Sequence, residues 1–140
     1  MKAKYFKYFI LFCIFINLSE IRADTVFFDS KNIQIKDEGN TIYSSNGIAK
    51  IPNQKIVIKG YKFIYDKIKS ELVIIGNVKF YDNQNDVIIE SEKAIYNENK
   101  NVIFTKGETN INFENKYEML SENVLYDRNS SLILSDQYTE

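Results

Sequence analysis

Six acidic side chains and three tyrosines are the groups in this 140-residue chain best suited to chemistry. The acids are Asp66, Asp82, Glu90, Glu92, Glu98 and Asp127. Two facing carboxylates can share general acid and general base work, as in cleavage of a glycosidic bond. Other catalytic devices are missing from the sequence. It has no histidine and a single cysteine, Cys13, so nucleophile–histidine pairs and zinc sites built on His or Cys are excluded. No Gly-rich phosphate loop and no calcium-loop motif occurs. The six acids fall in polar turns or on the polar side of alternating segments, where solvated charge is the default. The sequence therefore reads as non-enzymatic, with no catalytic residue, no metal and no cofactor.

The tyrosines are more informative, because they recur. Lys62-Phe63-Ile64-Tyr65-Asp66 returns as Lys93-Ala94-Ile95-Tyr96-Asn97, and again as Asn123-Val124-Leu125-Tyr126-Asp127. The step from one copy to the next is nearly constant, at about 30 residues. Each copy is followed by a polar turn and an apolar run: Leu72-Val73-Ile74-Ile75, Val102-Ile103-Phe104, Leu132-Ile133-Leu134. A fixed period of this length marks stacked units, none of which buries its apolar face alone. Two readings of the tyrosines follow. Each can end a strand with its ring in the core and its hydroxyl in water, or the rings can form an aromatic ladder along a groove.

The elements that hold these residues read as strands. Ile, Val, Tyr, Phe, Thr and Asn dominate residues 24–140 and Ala is rare, which favours strands over helices. Turns fall at Asp37–Asn40, Pro52–Gln54, Asp66–Ser70, Asp82–Asn85, Asn97–Lys100 and Asp127–Ser130, where Asn and Asp supply their own side-chain hydrogen bonds. The fold class is all-β: an antiparallel, folded-over sheet of three to four units of about 30 residues. A degenerate first unit is expected from Ile33, Ile35 and Thr41–Ala49.

Alternation assigns the faces. Leu72, Ile74, Gly76, Val78 and Phe80 fall on one side, with Glu71, Asn77 and Lys79 opposite. In the next unit Ile103, Thr105, Gly107, Thr109, Ile111 and Phe113 oppose Lys106, Glu108, Asn110 and Asn112. The phase slips between Ile56 and Ile58 on one hand and Phe63 and Tyr65 on the other, so a bulge is expected near Gly60. Gly76 and Gly107, in mid-strand, mark kinks. The inward set is Ile56, Ile58, Phe63, Tyr65, Leu72, Ile74, Val78, Phe80, Ala94, Tyr96, Ile103, Ile111, Phe113, Val124 and Tyr126.

Residues 1–23 read separately. Lys2, Lys4 and Lys7 precede an apolar stretch from Tyr8 to Leu18 interrupted by Asn17, and Ile21-Arg22-Ala23 offers a small residue for cleavage. That is the pattern of a secretory signal peptide over residues 1–23, leaving one domain over 24–140. A retained membrane anchor is the alternative. Cys13 lies in the apolar stretch, so the mature chain has no cysteine. Without residues 1–23 the chain keeps 14 basic and 18 acidic side chains, a net charge of −4. With no basic patch, nucleic acid is not an expected partner.

The unit resembles a known family. Ile58-Lys59-Gly60-Tyr61-Lys62-Phe63-Ile64-Tyr65-Asp66 followed by Gly76-Asn77-Val78-Lys79-Phe80 is similar to the repeat of OstA/LptA-type domains of lipopolysaccharide export. The second copy departs, with Glu108-Thr109 in place of Asn-Val, and the third lacks the Gly-Asn-Val segment. The resemblance spans about residues 26–136. It implies a β-jellyroll whose dry interior takes the acyl chains of lipid A, so the inward residues become candidate groove-lining, lipid-binding residues. It implies docking of edge strands with other Lpt-type jellyrolls, self-association, and a place in the periplasm or at the outer membrane. The implied role is that of a bridge protein or of the N-terminal domain of the outer-membrane translocon, with energy from a separate ATPase. The rival readings are a structural or adhesive β-repeat protein of the envelope, a carrier for another lipid, and a glycan-processing enzyme.

Overall fold

The computed structural model describes residues 26–114 and 116–135. The expected signal peptide lies outside the described residues. Among the described residues nine strands follow one another: β1 (Phe27–Lys36), β2 (Thr41–Ile51), β3 (Ile56–Asp66), β4 (Glu71–Asp82), β5 (Val87–Asn97), β6 (Val102–Phe113), β7 (Tyr117–Glu122), β8 (Val124–Asp127) and β9 (Leu132–Ser135). They form a single antiparallel sheet in sequence order, β6 pairing with β7 along one part of its length and with β8 along another. The sheet is open, with β1 at one margin and β7 and β9 along the other.

The turns form because one short device is repeated. Asp66, Asp82, Asn97 and Asp127 each end a strand, and the side-chain Oδ1 of each accepts from backbone N–H groups two or three residues on. Four residues after each stands a residue in the left-handed region: Ser70, Asp86, Asn101 and Ser131, with φ of 52° to 57°. Short polar side chains bond locally and tolerate that backbone, which is why Asn, Asp and Ser fill these places. Neighbouring turns are then stitched together. Lys67, Glu98 and Arg128 donate their N–H groups to the carbonyls of Asn40, Ser70 and Asn101, forming one row, while Asn83 and Glu114 donate to Lys55 and Asp86 in a second row.

Alternate strands are bent midway. Asn46 in β2, Gly76 and Asn77 in β4, Gly107 in β6, and Asn123 between β7 and β8 all have positive φ. Together they draw a crease across the sheet. The bulge expected near Gly60 is displaced: the register does shift at Lys59/Lys62, but β4 carries the additional residue there, at Gly76-Asn77. Gly107 marks the same event in β6, opposite Ser91/Lys93 of β5. Only glycine accommodates φ of +83° at position 76 without a steric cost, and a Cβ there would also sit 2.7 Å from Tyr61 Cδ2. Gly60 is small for another reason. A Cβ there would meet Ile74 Cγ2 at 2.5 Å.

The crease folds the sheet onto itself. Phe80 pairs with Ile89 and Leu72 with Tyr96 in the β4–β5 ladder, so on a flat sheet Phe80 and Tyr96 would lie about 25 Å apart. Their ring centroids are 5.7 Å apart. Phe28 and Phe63 meet the same way at 5.9 Å. Two half-sheets therefore face each other, and the core lies between them. Ile51, Ile56, Ile58, Phe63, Leu72, Ile74, Val78, Phe80, Ile89, Ile103 and Ile111 are buried there.

Candidate functional site

The expected inward residues converge as a group. Fourteen of the fifteen are buried, and Phe113 packs half-buried against the same core. Phe63, Tyr65, Leu72, Ile74, Ala94, Tyr96, Ile103, Val124 and Tyr126 come from one side of the crease. Ile56, Ile58, Val78, Phe80, Ile111 and Phe113 come from the other. Lys79 points outward, with Nζ 2.6 Å from Glu90 Oε1 on the neighbouring strand. Asn110 is tied to Glu118 on that outer face.

Among the described residues, the buried charged side chains are Asp82, Glu98 and Arg128, all at or just past strand ends and none in the central interior. Polar groups there are hydroxyls, and they are satisfied locally: Thr105 and Thr109 are buried with Oγ1 atoms 2.7 Å apart, and Thr105 Oγ1 accepts from the Val124 N–H. A dry strip of this kind suits aliphatic chains, because each methylene moved out of water is worth about 0.8 kcal/mol. Among the described residues, the side chains of the strip are themselves buried, Phe113 in part.

Where the two turn rows meet, the chemistry changes. Asp82, at the end of β4, is buried and takes both oxygens into a cluster: Oδ2 accepts from Arg128 Nε at 2.7 Å, Tyr126 Oη at 3.0 Å and Asn85 Nδ2 at 3.0 Å. Its Oδ1 accepts from Arg128 Nη2 at 3.0 Å while still closing its own turn through Gln84 and Asn85. Arg128 continues across the gap, donating Nη2 to the Gln54 carbonyl and Nη1 to Asn101 Oδ1. Tyr96 Oη bonds Gln54 and Asn101. A polar pocket of about 330 Å³ lies over the cluster, lined by Asn53, Gln54, Gln84, Asn85, Asn101, Arg128, Asn129 and Ser131.

The electrostatics follow from this geometry. Burial pushes the Asp82 carboxyl up, but the hydrogen bonds and charge of Arg128 outweigh it and hold the group below its ordinary value. Burial pushes Tyr126 up to about 12, helped by the Asp82 charge. Arg128 keeps its proton despite burial, because Asp82 faces it.

Two expectations are corrected here. Asp82 and Glu98 are buried rather than solvated; Asp82 is held by Arg128, and Glu98 accepts from the Tyr65 hydroxyl. The hydroxyls of Tyr65, Tyr96 and Tyr126 are bonded to protein groups instead of standing in water. Sequence reasoning misses Arg128, Gln54 and Asn85, whose partners lie far along the chain. It also passes over Val87 and Ile89, both buried, although they stand one repeat period after Ile56 and Ile58. The repeat itself is the signal that finds them.

No protein-family model and no curated protein matches this chain. Among solved structures it is similar to LptH from Pseudomonas aeruginosa, the LptA-homologous periplasmic component of the conserved lipopolysaccharide transport device. The TM-score is 0.70 at 10% identity, over 84% of this chain and 85% of that one. The creased, open sheet described above is thus an OstA/LptA-type β-jellyroll.

Proposed function

We propose that this chain is an exported, non-catalytic carrier that takes lipopolysaccharide by its acyl chains between the two half-sheets. It hands the lipid on towards the outer membrane. The observation that carries the reading is the apolar core between the half-sheets, with Ile58, Ile74, Phe80 and Ile111 at its centre, inside a fold of LptA type. The margins support a chain of such proteins. Ile33 and Ile35 on β1 and Leu132 and Leu134 on β9 are exposed, and an open sheet margin is a template for a further strand. Partners of this reading are lipid A acyl chains, other Lpt-type jellyrolls and a second copy of this chain. A signal peptide over residues 1–23 would deliver it to the periplasm.

The test is photo-crosslinking to lipopolysaccharide from Ile74, Phe80 and Ile111, with Lys79 and Asn110 as outward controls. Labelling confined to the first three is the expected result. Equal labelling of both faces overturns the groove. The packed interior favours one rival, a structural β-repeat protein with a closed core, and that protein would label at none of the five.

A further inference from the structure

We infer that the Asp82–Arg128 cluster is a releasable clasp, and that parting it is the step by which an acyl ligand reaches the interior. The inference rests on the lipid-carrier reading and concerns how that site opens. The inward residues are packed to exposures of 0% to 6%, Phe113 aside, so no chain enters while the half-sheets stay together. On the crease side the halves are joined by covalent chain and cannot part. On the turn side they are separate rows, and the cluster bridges them. Gln54, Asp82 and Asn85 belong to the row that begins at Pro52, and Asn101, Tyr126 and Arg128 to the opposite row. The bonds between the rows join residues far apart in sequence: Asn85 and Asp82 with Tyr126, and Asp82 and Gln54 with Arg128.

The chemistry of the bolt suits release. A buried ion pair gives back in desolvation much of what it gains by attraction, so its net closing force is small. When the rows part, Asp82 and Arg128 both return to water, and the pocket above them already admits solvent. Leucine or phenylalanine at the same two places would weld the rows, because opening would then wet more apolar surface. The tyrosine rings of Tyr96 and Tyr126 lie beneath the bolt with their hydroxyls in it. Opening the bolt thus frees rings that close the interior at that point.

The experiment uses the full chain with Cys13→Ser and a photo-crosslinker at Phe80. Gln54 and Asn101 stand on opposite rows and both accept from Arg128 Nη1. The pair Gln54→Cys and Asn101→Cys is oxidised to link the rows, the link is verified by loss of free thiol, and dithiothreitol releases it. Lipopolysaccharide labelling at Phe80 should be slowed about tenfold or more by oxidation, since only the open fraction binds, and restored by reductant. Arg128→Gln, which removes the ion pair and leaves the tyrosine bonds between the rows, should label faster than the unaltered chain. Equal rates in oxidised and reduced protein overturn the clasp while leaving the carrier reading intact. Absence of labelling in every state, Arg128→Gln included, overturns both. Circular dichroism of each form checks that the sheet persists, and the oxidised–reduced pair compares one protein with itself.

Discussion

Asp66 and Asp82 begin turns of one design and come to opposite ends. Each closes its turn by accepting from backbone N–H groups, and each is followed four residues later by left-handed backbone. Asp66 then faces solvent, with Lys69 as an exposed partner at 3.2 Å. Asp82 is driven under the opposite row of turns, where Arg128 meets it at 2.7 Å with side-chain exposures of 5% for the arginine and 0% for the aspartate. Local sequence settles the geometry of a turn. What covers it is settled by the fold of the whole sheet, and only there does the same carboxylate become structural machinery.

Removing the two carboxylates separates these roles. Asp82→Ala leaves a buried guanidinium without its counter-charge and should cost about 3–5 kcal/mol. Urea denaturation reads this as a large fall in midpoint at unchanged slope. Asp66→Ala should move the midpoint far less, because water takes over from the lost carboxylate. Equal shifts would mean that Asp82 acts through its turn alone.

The crease provides the next comparison. Gly76→Ala forces a Cβ into left-handed backbone and against Tyr61, at a cost of about 1–2 kcal/mol. The loss should be smaller than for Asp82→Ala, because the crease is also held by flanking ladders on both sides. A larger loss would make the hinge, not the bolt, the weaker side of the fold.

Titration gives the smallest and most specific effect. The folded Asp82 carboxyl lies below its ordinary 3.8, so its contribution is present above that value and is lost as pH falls through the lowered one. Asp66 and Asp127 are lowered as well, by hydrogen bonds within their own exposed turns. Asp82→Asn should therefore flatten the acid limb of stability against pH more than Asp66→Asn does. At the other extreme, Tyr126 is raised to about 12. Its contribution is present below the ordinary 10.0 and is lost as pH rises from there through about 12, a loss that Tyr126→Phe should abolish.

This contrast also explains what can be read from the chain by itself. The turns are legible because Asp, Asn and Ser act on backbone within four residues. The inward faces are legible wherever polar and apolar residues alternate, as from Leu72 to Phe80. Val87-Ile88-Ile89 is apolar in both phases, so alternation alone is silent there. The bulge near Gly60 is assigned to the wrong strand because a register shift belongs to two strands, and one strand's sequence does not say which carries the additional residue. Arg128 is illegible for a deeper reason. Its partner Asp82 stands on a turn brought opposite by the crease, and nothing within the segment Asp127–Ser131 distinguishes it from a solvated cation.

The amides that stitch each row of turns carry a consequence for length. Each reaches a carbonyl in the preceding turn of its own row, so every hairpin is indexed on its predecessor and the stack has a built-in ruler. Inserting one more hairpin of the same sequence would add two strands, lengthening the apolar interior by about 10 Å. It would leave every existing bend where it is. Span in such a protein is thus a quantity that gene duplication can adjust in whole steps.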